Sequence, residues 1–377
     1  MHILLASPAA ITANGNFNKP LIDALIAINS AGNPVELVSN HDKPEWFDQA
    51  FKGTNVNFVK NQGRQNGSVI KEIAGLFNCQ THDIIVLAVS EADMLMAKNG
   101  RALLIAADWS TDKRIKSLGI KISDSKQLID VFNLINGWNG HWWYEGTSKN
   151  YSVKALVDLS QYGKDFTQQL FAGKLVQTVK QGGAQLNALL TVTARSLLID
   201  GFADFDNLFW AVYPSSSSKN NGTEVLSEFT SRLRTTVSKV RFERNGEPLF
   251  IRHKPSIKRS GNKKIDRFDP MDQVTSIHLN PSYKTQIIGR NVVVIDDCTT
   301  YGLSFAVASA FLRKAGAKSV TGIALGKFGK TIQAYDLEIT SDPFKPVAPK
   351  NMTIKGRADM QGNNNGTAQQ VLQQIIK

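Results

Sequence analysis

Val292-Val293-Val294-Ile295-Asp296-Asp297-Cys298-Thr299-Thr300-Tyr301-Gly302-Leu303-Ser304 is the most informative run in the chain. Its four β-branched apolar residues show no polar alternation, so they read as a strand buried on both faces, as in a parallel sheet. The two carboxylates are expected to end that strand. A short polar turn containing Gly302 follows, and residues 305–315 read as a helix. Phe305, Ala308, Leu312 and Ala315 recur on one face of it, and Gly316 stands where a left-handed cap belongs. Residues 320–325 supply the next strand and complete a βαβ unit.

Such a turn is an anion cradle. Gly302 lets the backbone come close to a ligand, and the first amides of the helix have no partner inside it. Thr299, Thr300 and Ser304 add hydroxyl donors around the same point. Asp296 and Asp297 are acceptors and repel phosphate, so they suit vicinal hydroxyls and positive charge on a nearby carbon. A phosphate cradle beside paired acids describes a ribose 5-phosphate site.

The run resembles the phosphoribosyl pyrophosphate signature of type I phosphoribosyltransferases: four apolar residues, two acids, two variable residues, then a Thr-Thr-Gly-x-Thr/Ser-like turn. The resemblance implies that Asp296 and Asp297 are the catalytic acids, contacting the ribose 2- and 3-hydroxyls. It implies that Thr299, Thr300, Tyr301, Gly302, Leu303 and Ser304 hold the 5-phosphate. Tyr301 departs from the pattern, because a small residue is usual there; its phenol either crowds the loop or points out of it. The resemblance also implies Mg2+ bridging pyrophosphate and ribose oxygens, without direct protein ligands in this site.

Two upstream segments extend the likeness. Residues 208–212 read as a strand, and Ser215-Ser216-Ser217-Ser218-Lys219 follows as a loop of small residues. In the family the loop at this position holds pyrophosphate, which assigns that role to Ser215, Ser216, Ser217 and Lys219; a solvated serine linker is the other reading. The basic stretch 252–267 is similar to the segment preceding the signature in the ComF-like branch, where it would act as a hood over pyrophosphate through residues such as Lys258 and Arg259. A nucleic-acid backbone contact and a plain exposed loop remain the alternatives.

The bulk properties fit this picture. A chain of 377 residues exceeds one comfortable core, so two domains are expected. Hydrophobic and charged fractions of 42% and 20% are those of a globular protein. No apolar run reaches the length of a membrane span, and Met1 to Leu5 lack the basic start of a secretory signal, so a cytoplasmic location and no membrane partner are expected. Cys79 and Cys298 show no metal or redox spacing. The net charge of +12 favours phosphate-bearing partners.

Residues 1–145 alternate strand and helix patterns, with strands at 3–5, 35–38, 56–59 and 84–89, which argues for a parallel sheet flanked by helices. The cluster Trp138, Trp142, Trp143 and Tyr144 closes the region and is expected to pack between domains rather than line a ligand box. The region resembles, more weakly, a haloacid dehalogenase-like domain. Residues 84–100 are similar to its fourth motif, which makes Asp93 a candidate magnesium ligand, with Ser90 or Glu91 near the second acid. Ser39 matches the phosphate-binding hydroxyl and Lys71 the lysine. Ile3-Leu4-Leu5-Ala6-Ser7-Pro8-Ala9 lacks the nucleophilic aspartate, so the domain is expected to be non-catalytic.

The expected architecture is therefore α/β in two domains, each a mainly parallel sheet flanked by helices. Residues 150–335 form the phosphoribosyltransferase-like domain, and 336–377 an extension with a turn at 362–366 and a helix at 368–376. The leading function is a magnesium-dependent phosphoribosyltransferase (a pentosyltransferase) with a nitrogenous base as acceptor. The alternatives are a non-catalytic sensor of phosphoribosyl pyrophosphate or a ribose 5-phosphate nucleotide, and a nucleic-acid-associated factor using the basic stretch. Homodimerisation stays open.

Overall fold

The computed structural model describes residues 1–12, 17–238, 246–257 and 266–376. Among them, two six-stranded sheets are flanked by helices. The first contains β1 (Ile3–Ala6), β2 (Val35–Ser39), β3 (Asn57–Lys60), β4 (Ile84–Ala88), β5 (Leu103–Ala107) and β6 (Ile120–Ile122), all parallel, in the order β3-β2-β1-β4-β5-β6. β1, β2, β4 and β5 are buried along their whole length; β1, β4 and β5 are accordingly unbroken apolar runs, while β2 buries Glu36 and Ser39 among its apolar residues. The order reverses between β1 and β4, the arrangement of a doubly wound sheet.

The second sheet is mixed. It contains β7 (Tyr144–Thr147), β8 (Ser152–Asp158), β9 (Leu208–Val212), β12 (Asn291–Thr299), β13 (Ser319–Lys327) and β16 (Gln361–Asn364) in the order β16-β7-β8-β13-β12-β9. β8, β13, β12 and β9 run parallel, and β7 and β16 add antiparallel at the edge. Two ribbons, β10 (Phe250–Arg252) with β11 (Ile277–Leu279) and β14 (Gln333–Ile339) with β15 (Met352–Asp359), complete the strands.

Two sequence readings change. Of residues 362–366, read as a turn or joint, 362–364 belong to β16, an all-exposed edge strand held by backbone pairing with β7, so no side-chain pattern announces it. The segment after 336 is also more than an appendage. Gln369, on the helix Gly366–Ile375, is buried and reads the Asp158 backbone with both ends of its amide, at 2.8 and 3.1 Å.

The halves share one hydrophobic cluster, which runs from Leu4 and Ile105 through Trp138 and Leu197 to Trp210 and Ile295. Polar ties reinforce it. Arg195, on the helix Ala184–Ile199, is buried and donates to Asp83 Oδ1 at 2.7 Å and to the His82 carbonyl, while Trp138 Nε1 donates to Ser196 Oγ at 2.9 Å. The aromatic cluster divides: Trp138 and Trp142 join this shared core, and Trp143 and Tyr144 join the core on the other face of the second sheet.

Candidate functional site

The site begins where β9 stops. β12 pairs with β9 only as far as Ile295 opposite Val212, but with β13 as far as Thr299 opposite Lys327. Asp296 and Asp297 therefore do not end the strand, as expected from sequence; they lie within it, on the stretch whose β9 side has no strand neighbour. The chain leaves the two strands in opposite directions. The helix Val225–Val237, after β9, packs Leu226, Phe229 and Leu233 into the core with Trp210 and Val293. The helix Leu303–Lys314, after β12, packs Phe305 and Phe311 into the opposite core with Phe209 and Val294. Gly322 makes that packing close: a Cβ there would lie 2.3 Å from Phe305 Cδ1. Adjacent parallel strands whose helices depart on opposite faces leave a crevice between their carboxyl ends.

The acid pair lies on the stretch of β12 that borders this crevice. Ser304 Oγ donates to Asp296 Oδ2 at 2.6 Å, the Asp297 amide to Asp296 Oδ1 at 2.9 Å, and the Cys298 amide to Asp297 Oδ1 at 2.6 Å. Burial, then the neighbouring Asp297 charge, holds the Asp296 carboxyl well above the ordinary carboxylate range. Burial also pushes the Cys298 thiol up, which leaves it protonated and unreactive near neutral pH.

The turn after β12 is tight. Gly302 has φ +77°, and a Cβ on it would meet Ile332 Cγ2 at 2.5 Å. Its amide donates to Thr299 Oγ1 at 3.0 Å, so Thr299, buried, shapes the turn rather than presenting a free hydroxyl. The amides of Thr300, Tyr301, Leu303 and Ser304 have no hydrogen-bond partner among the described residues. They form a nest at the positive end of a twelve-residue helix. Tyr301 points out of the loop: its ring lies 4.6 Å from that of Phe268, over which Arg357 also sits at 4.7 Å.

The serine loop lies at the carboxyl end of β9. Ser215, Ser217 and Lys219 are exposed and Ser216 is half-buried, and the amides of Ser216, Ser217 and Lys219 are without partner among the described residues. Ser215 Oγ donates to Glu224 at 3.2 Å. The loop is held from behind by Arg252, which is buried and donates to the carbonyls of Ser215 at 2.6 Å and Pro214 at 3.1 Å, and to Ser276 Oγ at 2.8 Å. The first residue of the basic stretch is thus a structural clamp, not a free ligand contact. Ser256 donates its amide to the Ser216 carbonyl at 3.0 Å, so the stretch starts out along the serine loop. Lys258 and Arg259 lie outside the described residues.

No family model, curated protein or solved structure matches the chain.

The candidates in the first sheet are engaged in local structure. Asp93 is fully buried; it accepts from the Val89 and Ser90 amides, from the hydroxyls of Ser7 and Ser90, and from Arg64. That is a capping box with a buried ion pair, and among the described residues no group of three His, Cys, Asp or Glu could hold a metal. Ser39 Oγ accepts from the His41 amide at 3.0 Å, and Glu91 pairs with Arg114 at 2.9 Å. Lys71 is exposed on the helix Ser68–Leu76. A groove of about 920 Å³ opens elsewhere, between the halves, lined by Asp108, Lys121, Gly182, Gly183 and Arg232. Two site residues escaped the sequence reading, Arg252 as a clamp and Lys327. No helix among the described residues is long and apolar enough to cross a membrane.

Proposed function

We propose that the crevice between β9 and β12 holds a ribose 5-phosphate unit, and that the chain is a type I-like phosphoribosyltransferase. It would transfer the phosphoribosyl group from phosphoribosyl pyrophosphate to a nitrogenous base. The carrying observation is that an amide nest, a paired acid and a second loop of amides lie at the carboxyl ends of two adjacent strands, the amides without partner among the described residues. In this reading the amides of Thr300, Tyr301, Leu303 and Ser304 and the Thr300 hydroxyl take the 5-phosphate. Asp296 and Asp297 accept from the ribose hydroxyls, and Ser215, Ser216, Ser217 and Lys219 receive pyrophosphate, with Lys258 and Arg259 as further donors. The first sheet supplies a non-catalytic partner domain.

The acids Asp296 and Asp297 offer hard oxygens suited to Mg2+, but only two of them, which fits a cation carried in mainly by the phosphates of its ligand. When bound, it would neutralise charge on the leaving pyrophosphate. In the reaction the bond from the anomeric carbon to the pyrophosphate oxygen breaks, and the acceptor nitrogen lone pair forms the new C–N bond. The acceptor proton is released and the bond electrons leave with pyrophosphate. Positive charge grows on the ribose carbon as in glycoside cleavage. Asp297, and Asp296 once that charge draws off its proton, stabilise it by placement alone. The free amides of the serine loop take up the leaving group's charge.

The test is to titrate phosphoribosyl pyrophosphate with and without Mg2+, then screen bases for pyrophosphate release, with Asp296→Asn/Asp297→Asn as control. Acceptor-dependent release that the double variant lacks supports transfer. Binding without release on any base assigns the site to a sensor. Failure of the intact chain to bind overturns both readings.

A further inference from the structure

A trans peptide is planar, so its C=O and N–H point in opposite directions. This fixes where the amides of the turn after β12 face. The Thr299 carbonyl accepts from the Phe328 amide at 2.9 Å, which sends the Thr300 N–H away from β13. The Thr300 carbonyl accepts from Lys327 Nζ at 3.4 Å, which sends the Tyr301 N–H the same way. The Tyr301 carbonyl accepts from the Gln333 amide at 3.0 Å, and the Gly302 N–H accordingly turns back to Thr299. Of these three carbonyls, only that of Thr300 is held by a side chain.

That side chain is unusual. Lys327 is a lysine with 0% exposure at the end of β13. Its ammonium lies closer to the carbonyls of Gly329 at 2.6 Å, Thr331 at 2.9 Å and Phe328 at 3.1 Å, so its three protons are shared among four acceptors with Thr300 the longest contact, and it lies 5.3 Å from the centre of the Tyr144 ring. Among the described residues no carboxylate comes within ion-pair distance of it. An ammonium buried without a counter-ion is costly, and backbone carbonyls here take the counter-ion's place. The charged and titratable groups facing it are Asp158 on β8, itself paired with Lys164 at 3.1 Å, and the Tyr144 phenol on β7.

We propose that Lys327 is a positioning residue for anion binding: by holding the Thr300 carbonyl on the β13 side, its ammonium turns the Tyr301 amide into the crevice. This rests on the reading of that crevice as a phosphate site. Lys327 touches no ligand; it acts through one peptide group. Burial lowers its pKa to about 8, so its charge is present at neutral pH and lost in mild alkali.

The probes are inorganic phosphate and ribose 5-phosphate, titrated calorimetrically into the full chain. A second readout is the Tyr301 amide resonance in protein labelled with 15N-tyrosine, which has seven such residues and is assigned by Tyr301→Phe. In the intact chain phosphate should shift the Tyr301 amide. In Lys327→Met the shift should vanish and affinity should fall about tenfold or more, the usual effect of losing one hydrogen bond to a charged group. Between pH 7 and pH 9.5 the intact chain should lose affinity by a similar factor. If Lys327→Met fails to fold, the pH series on the intact chain decides. Binding that is strong and unchanged in folded Lys327→Met, or flat across the pH series, overturns this proposal and leaves the phosphate site standing. No binding by the intact chain overturns both.

Discussion

Replacing Gly302 by alanine should destabilise the protein by about 2–5 kcal/mol. At φ +77° an L-residue carries a left-handed strain of roughly 1–2 kcal/mol. The new methyl would also stand 2.5 Å from Ile332 Cγ2, and Ile332 is fully buried. Overpacking of that kind costs about 1–3 kcal/mol. Gly289 separates the two effects, because it has φ +70° but open space around its Cβ position. Gly289→Ala should therefore cost only the strain. Urea unfolding of both variants gives the difference, expected at about 1–3 kcal/mol, and Ile332→Ala combined with Gly302→Ala should show favourable coupling as the methyl gains room. If Gly302→Ala loses less than about 0.5 kcal/mol, as a surface change would, the packing described for the turn is wrong.

Arg195→Leu removes the donor to Asp83 Oδ1 and the His82 carbonyl and should cost about 3–5 kcal/mol by urea unfolding; a loss below 1 kcal/mol would show that the halves are not joined through it. Arg252→Met removes the clamp behind the serine loop. It should weaken pyrophosphate binding several-fold while leaving inorganic phosphate at the β12 turn unaffected, and equal loss of both ligands would speak against separate subsites. Asp296 retains its proton above the ordinary carboxyl range, so a ligand bringing positive charge should release a proton on binding, and affinity should rise with pH through that range. Calorimetry in two buffers of different ionisation enthalpy measures the release, which Asp296→Asn should abolish. For the ligand-free protein the sign is opposite: a raised carboxyl pKa makes the fold lose stability as pH climbs from the ordinary carboxyl value through the raised one.

Much of this architecture was legible because buried parallel strands are written as apolar runs. β1, β2, β4, β8, β9, β12 and β13 all carry that signal. β5 escaped because Leu103–Ala107 follows a helix with only a two-residue break, and β6 because three residues carry no period. β15 and β16 are exposed along nearly all their length, so backbone pairing alone defines them. In the site, the acids, the glycine and the serines were visible as residue types at fixed spacing. What they adjoin was not. The overrun of β12 past β9 depends on where a neighbour stops, and a lysine in a strand reads as solvent-facing until the carbonyls that enclose Lys327 are folded around it. Arg252 was hidden by its company, since a basic run gives no sign of which member turns inward.

The core shared by the two sheets has a practical meaning. With Leu4 and Ile295 in one apolar cluster and Arg195 tying the halves, the chain should melt as one cooperative unit. Any small molecule that binds the native form, wherever it lands, then protects the whole; at one hundred times its dissociation constant the gain is about 2.7 kcal/mol. A thermal-protection screen of nucleobases, nucleotides and sugar phosphates would thus register any ligand bound at the second sheet through the intrinsic fluorescence of Trp46 or Trp109, far along the chain in the first. Excising either half would expose the other's interior, so the tryptophans of one half become the reporters for the chemistry of its neighbour.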